Sequence, residues 1–270
     1  MPLATVNGHQ IHYECVGPEA GTPVVFIHGV TLSLICWRNT VTRLPSDLRR
    51  ISVDLLGHGE SAKPRNADYS IEQQGQIVIG LLDCLGIDRA TLVGHSMGGE
   101  IALWIASHHP ERVSKVITVA AVTEGNLSAE ANFQFGLMRF GMFLPSIGRF
   151  MASVARNPNL MGSTYFIRPQ PASAFYEVYD EQQRADNYKS KAACLRAIYR
   201  YRALDDADKI KSPVMIISGD QDNVVPLGQS LKLKERLPDA ALVRIPNCKH
   251  LPQYDAPEEL NTALTSFLTT

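Results

Sequence analysis

Short β-rich runs alternate with segments of helical period through the first 120 residues of the chain, and few folds satisfy that rhythm. The runs are Ile11–Cys15, Val24–Ile27, Ile51–Val53, Ala90–Val93 and Val113–Ala120. Several are nearly continuous apolar stretches, as expected of strands covered on both faces rather than strands with one wet face. Between them lie candidate helices at Ile71–Leu85 and Met97–His108, and in the first Ile77, Leu81, Leu82 and Leu85 share a face. Strand and helix in this alternation imply a mostly parallel, doubly wound α/β sheet. The rhythm breaks after Val122. It resumes with a strand at Val214–Ser218, a helix near Leu227–Leu237, a strand at Ala241–Ile245 and a final helix from Glu258. Residues Thr123 to Ala207 read as helices and loops, an insertion between two sheet strands rather than a linker between independent domains.

A chain of 270 residues with 45% hydrophobic content can bury one full core of this kind. Its formal net charge of -1 supplies no field to attract nucleic acid or an anionic membrane. The opening MPLATVNGHQ lacks the basic start and apolar run of a secretory signal. No apolar stretch approaches the roughly 20 residues that span a bilayer. The cysteines Cys15, Cys36, Cys84, Cys194 and Cys248 are scattered, odd in number and form no CxxC pair, which suits a reducing cytoplasm. The histidines form no HxH or HExxH arrangement, so neither a metal nor another cofactor is expected.

The sharpest local signal is Gly94-His95-Ser96-Met97-Gly98-Gly99. A G-x-S-x-G pattern is weak by itself, but this one follows the apolar run Ala90–Val93 and precedes the helix-like Glu100–Ser107. A strand turning sharply into a helix presents the Ser96 hydroxyl at the C-terminal edge of the sheet, where ligands bind in open α/β folds. An oxyanion formed there needs fixed donors. The Met97 N–H at the helix start is one, and the Val30 N–H, just past the strand Val24–Ile27, is the candidate for the second. A serine hydroxyl also needs a base, and the base a carboxylate to hold it. Downstream, Val214–Ser218 ends in Gly219-Asp220-Gln221-Asp222, and Ala241–Ile245 is followed by Asn247-Cys248-Lys249-His250. Each of these groups sits just past a strand, all at one edge of the sheet.

Together His28-Gly29, the segment Asp54-Leu55-Leu56-Gly57-His58-Gly59-Glu60-Ser61, the Gly94–Gly99 turn, Gly219-x-x-Asp222 and His250 resemble the α/β-hydrolases. That group includes esterases, lactonases, perhydrolase-type enzymes and carbon–carbon bond hydrolases. The resemblance covers essentially the whole chain apart from the insertion. It implies a doubly wound, mostly parallel eight-stranded sheet flanked by helices, with a helical cap inserted between late sheet strands. The core then comprises 1–122 and 208–270, and the cap 123–207. It also implies a nucleophile at Ser96, a general base at His250 and an orienting acid at Asp222 rather than Asp220, with Glu124 a remoter alternative. Asp54 and His58 fall in a loop that supports the site, and His95 points to the wrong side of the turn to serve as base.

Seven of the nine phenylalanines lie between Phe133 and Phe175, together with Met138, Met142, Met151 and Met161, whereas the core strands use Val, Ile and Leu. Such a composition suits a cap that adapts to an irregular apolar ligand, with Phe133, Met138 and Phe140 as candidate substrate contacts. The expected activity is hydrolysis of a carboxylic ester, thioester or lactone of a hydrophobic small molecule through an acyl-enzyme. Carbon–carbon bond hydrolysis or cofactor-free perhydrolysis would use the same groups. The carbon–carbon hydrolases usually carry a longer glycine- and proline-rich run after His-Gly, where this chain has Val30-Thr31-Leu32. A hydrolase-like binding protein without turnover is the alternative from another class.

Overall fold

The computed structural model describes residues 2–133 and 188–270. Eight strands form one sheet: β1 (Leu3–Val6), β2 (His9–Val16), β3 (Thr22–Ile27), β4 (Leu48–Val53), β5 (Ala90–His95), β6 (Val113–Val119), β7 (Val214–Gly219) and β8 (Ala241–Ile245). Their order is β1-β2-β4-β3-β5-β6-β7-β8. The β1–β2 and β2–β4 pairs are antiparallel, and every later pair is parallel. This is the doubly wound, mostly parallel sheet that the alternation implies. The chain that leaves β6 at Val119 returns at Val214 to pair with that same strand. The greater part of the expected cap lies within 134–187, outside the described residues.

The central strands are apolar on both faces because both faces are covered. Along β3, Val25 and Ile27 pack into one core, while Val24 and Phe26 pack into the other. The first core holds residues of α1 (Ile71–Cys84) and α2 (Met97–His108). The second holds Trp37 together with Leu260 and Leu264 of the C-terminal helix. Helix α1 starts where the Ser70 hydroxyl accepts the Gln73 N–H, and Glu72 lies in its positive first turn. Its Gly75 allows close approach to α2: a Cβ there would fall 2.2 Å from Cε3 of Trp104. Helix α3 (Tyr188–Ile198) docks on the loop after β4, where the Ser190 hydroxyl donates to the Gly57 carbonyl at 2.7 Å. Helices α4 (Leu227–Arg236) and α5 (Pro257–Leu268) complete the described layers. Among the described residues no helix is long and apolar enough to cross a membrane.

Candidate active site

Strand β5 delivers Ser96 onto a turn that no ordinary residue adopts freely, with φ 53° and ψ −116°. Such a conformation costs on the order of 1–3 kcal/mol for a non-glycine residue, so the surroundings must hold it. They do so from both sides. The Ser96 N–H donates to Val119 O at 2.9 Å, and the Ser96 carbonyl accepts from the N–H groups of Gly99 and Glu100 at 3.0 and 3.2 Å. Two glycines make the turn sterically feasible. A Cβ on Gly94 would sit 2.1 Å from Gly98 O, and one on Gly98 would sit 2.2 Å from Ile27 O.

His250 comes from the loop after β8 and Asp222 from the loop after β7, and the fold brings both beside Ser96. Nε2 of His250 lies 3.2 Å from the Ser96 Oγ, and Nδ1 lies 2.9 Å from Oδ2 of Asp222. The other oxygen of Asp222 accepts the Val224 and Val225 N–H groups, each at 2.9 Å, which fixes the carboxylate plane. All three residues are buried. Asp220 is exposed, and Glu124 pairs at 2.7 Å with Lys232; it is Asp222 whose carboxylate bonds the His250 ring.

Met97 is the first residue of α2, so its N–H has no carbonyl a turn earlier in the helix to bond. Val30 follows β3 in a loop seated against the serine turn: a Cβ on Gly29 would meet the Ser96 Cβ at 3.1 Å. The next residue, Thr31, is buried and has a positive φ of 67°. This loop is fixed from beneath. Nε2 of His28 accepts the Leu55 N–H at 3.0 Å and its Nδ1 faces Gly29 O at 2.8 Å, an arrangement that fits a neutral ring. Burial lowers the His28 pKa, opposed in part by Asp54 and the Gly29 carbonyl. Asp54 ties three segments together, accepting from Leu34 N at 2.8 Å, Glu60 N at 3.0 Å and His12 Nδ1 at 2.7 Å. Burial pushes the Asp54 carboxyl up, but the His12 bond, the His28 ring and these N–H donors outweigh it and hold the carboxyl below its ordinary range.

A recess opens over Ser96 and His250, lined by Val30, Thr31, Leu32, His95, Leu127, Ile198, Val224 and Leu251. Its walls are apolar apart from Thr31 and the two histidines, so it favours an uncharged group beside the serine. Phe133 is 68% exposed, and Met138 and Phe140 lie outside the described residues. The apolar wall residues Leu127, Ile198, Val224 and Leu251 escaped the sequence reading, since nothing distinguishes them from core positions before the loops are folded. His95 was set aside there only as a base, and its place in the recess wall was not foreseen. Its place at the end of a strand buried throughout was the available signal, because a buried imidazole requires a partner. Among the described residues no group of three His, Cys, Asp or Glu side chains could hold a metal ion.

Fold and site together define a class: doubly wound α/β proteins with serine, histidine and aspartate hydrogen-bonded in series at the C-terminal edge of the sheet. The chain belongs to the alpha/beta hydrolase fold family, whose model matches residues 22–257. It is 29% identical to the non-heme chloroperoxidase of Streptomyces lividans over 283 residues, covering 98% of each protein. It is also 29% identical to the 2-hydroxymuconate semialdehyde hydrolase of a Pseudomonas species over 264 residues, covering 92% of this chain and 87% of that one. Among solved structures, the enol-lactonase of Burkholderia xenovorans superposes with a TM-score of 0.86 at 23% identity, covering 100% of both chains.

Proposed function

We propose that the protein is a serine hydrolase that cleaves a carboxylic ester, thioester or lactone of a hydrophobic small molecule through an acyl-enzyme. The observation that carries this reading is the buried series Ser96 Oγ, His250 and Asp222, with separations of 3.2 and 2.9 Å. In the first step His250 Nε2 takes the Ser96 proton as Oγ attacks the carbonyl carbon, and Asp222 stabilises the imidazolium that results. The Val30 and Met97 N–H groups hold the negative charge that develops on the carbonyl oxygen. His250 returns the proton to the leaving alcohol. It then activates water to release the acid and regenerate Ser96. The segment 123–207 acts as a cap that supplies further substrate contacts, with Phe133, Met138 and Phe140 among them.

p-Nitrophenyl esters of graded acyl length test the reading. Wild type is expected to release the phenol, with an optimum that measures the recess, and Ser96→Ala to release none at unchanged thermal stability. Turnover retained by Ser96→Ala sinks the mechanism. A second reading, carbon–carbon bond hydrolysis or perhydrolysis on the same groups, draws on the likeness to the semialdehyde hydrolase and the chloroperoxidase. It is favoured if wild type releases no phenol while Ser96 still reacts with an organophosphate.

A further inference from the structure

The acyl-enzyme scheme makes no use of His95, yet its ring touches three parts of the site. Its Nε2 lies 2.8 Å from the carbonyl oxygen of His250, and the two rings stand 4.9 Å apart between centroids at 53°. On another side Trp37 meets it edge-on at 6.5 Å. Its Nδ1 is packed against the loop that carries Val30, so that a Cβ on Gly29 would fall 2.8 Å away. A carbonyl oxygen only accepts, so Nε2 carries the proton and Nδ1 the lone pair. Nδ1 is buried with no hydrogen-bond partner among the described residues, which leaves no acceptor for a second proton. Burial, reinforced by the neighbouring His250, accordingly lowers the His95 pKa well below that of an ordinary histidine.

Topology gives this bond its weight. Strand β5, which ends at His95 just before Ser96, and strand β8, which precedes His250, are separated in the sheet by β6 and β7. The bond from His95 to the His250 carbonyl spans that gap from the residue next to the serine. We propose that His95 is a positioning residue whose Nε2–H···O bond sets the main chain of His250 at the height over Ser96 that proton transfer requires. This inference rests on the serine-hydrolase reading above.

Two variants of similar polarity separate the role from mere packing. In His95→Gln the amide N–H stands where Nε2 stood and can reach the His250 carbonyl; in His95→Asn it stands near Nδ1 and cannot. The Gln variant is expected to keep kcat within a few-fold of wild type. The Asn variant is expected to lose about 10²-fold in kcat at nearly constant KM, the order of loss that a displacement near 1 Å produces. If the Asn variant does not fold, His95→Leu replaces it with the same expectation. Equal kcat in the Gln variant and in the Asn or Leu variant, or a loss confined to thermal stability and KM, overturns the proposal. Should wild type hydrolyse no ester, the functional reading fails first, and the rate at which a fluorophosphonate labels Ser96 decides the rest. Fast labelling of the Gln variant with slow labelling of the Asn variant supports the positioning role; equal rates, or a wild type that is not labelled, overturn it.

Discussion

Asp222 divides its work between its two oxygens. One is held by the Val224 and Val225 N–H groups, and only the other meets the imidazole. Replacing it by Asn leaves a side chain of the same shape and favours the wrong tautomer of His250. We expect Asp222→Asn to lower kcat by about 10⁴-fold, the magnitude known for the corresponding change in the chymotrypsin triad. Asp220→Asn, at an exposed position two residues earlier, should leave kcat within a few-fold. Ester turnover by both variants checks the pair, and a large loss in the second alone would move the acid to Asp220. The sequence separates these two aspartates only through a family pattern, since both end the same strand. Nor does spacing reveal His95, because its partner is a main-chain carbonyl 155 residues away.

At the scale of elements, the strands of the parallel sheet were legible because a strand covered on both faces is apolar along most of its length rather than at alternate positions. The runs read at Val24–Ile27, Ile51–Val53 and Ala90–Val93 differ from the observed strands by at most three residues at either end. Strand β1 was not legible. It is a four-residue edge strand with a single buried side chain, Val6, and leaves no pattern to count. Helix α2 depends most closely on its first turn. Gly98→Ala would drive a methyl group against two main-chain oxygens, Ile27 O at 2.2 Å and His28 O at 2.7 Å, neither able to swing away. We expect a loss of about 1–3 kcal/mol, the range of overpacked cores, measured as a lower denaturation midpoint. The same change at Gly228, in α4 with nothing within 4 Å, should instead stabilise by about 0.5–1 kcal/mol. Equal effects at the two sites would deny that close approach explains Gly98.

The molecule as a whole carries a pH dependence that its net charge does not reveal. Glu100 is fully buried in α2, and neither of its oxygens has a hydrogen-bond partner among the described residues. Burial, with a smaller push from Glu72, raises its pKa well above the ordinary carboxylate value. The folded protein therefore holds this proton more tightly than the unfolded chain does. Stability is greatest below the unfolded carboxylate pKa and falls as pH rises from there towards the folded value. Glu100→Gln removes that dependence. Its urea midpoint should match wild type near pH 4 and exceed it increasingly towards neutrality, by about 1.4 kcal/mol of stability per pH unit while Glu100 stays protonated. Parallel curves for the two proteins would show that the carboxyl has a partner after all.

Strands β6 and β7 are hydrogen-bonded neighbours, Val116 opposite Val214 and Val119 opposite Ile217. The chain between them leaves the C-terminal end of β6 at Val119 and re-enters at the N-terminal end of the neighbouring β7 at Val214. Closing a longer or shorter excursion there alters the entropy only logarithmically. No strand register need move when the excursion is replaced. A replacement would still have to fill the places of Cys194, Leu195 and Ile198 of α3, which pack in the first core.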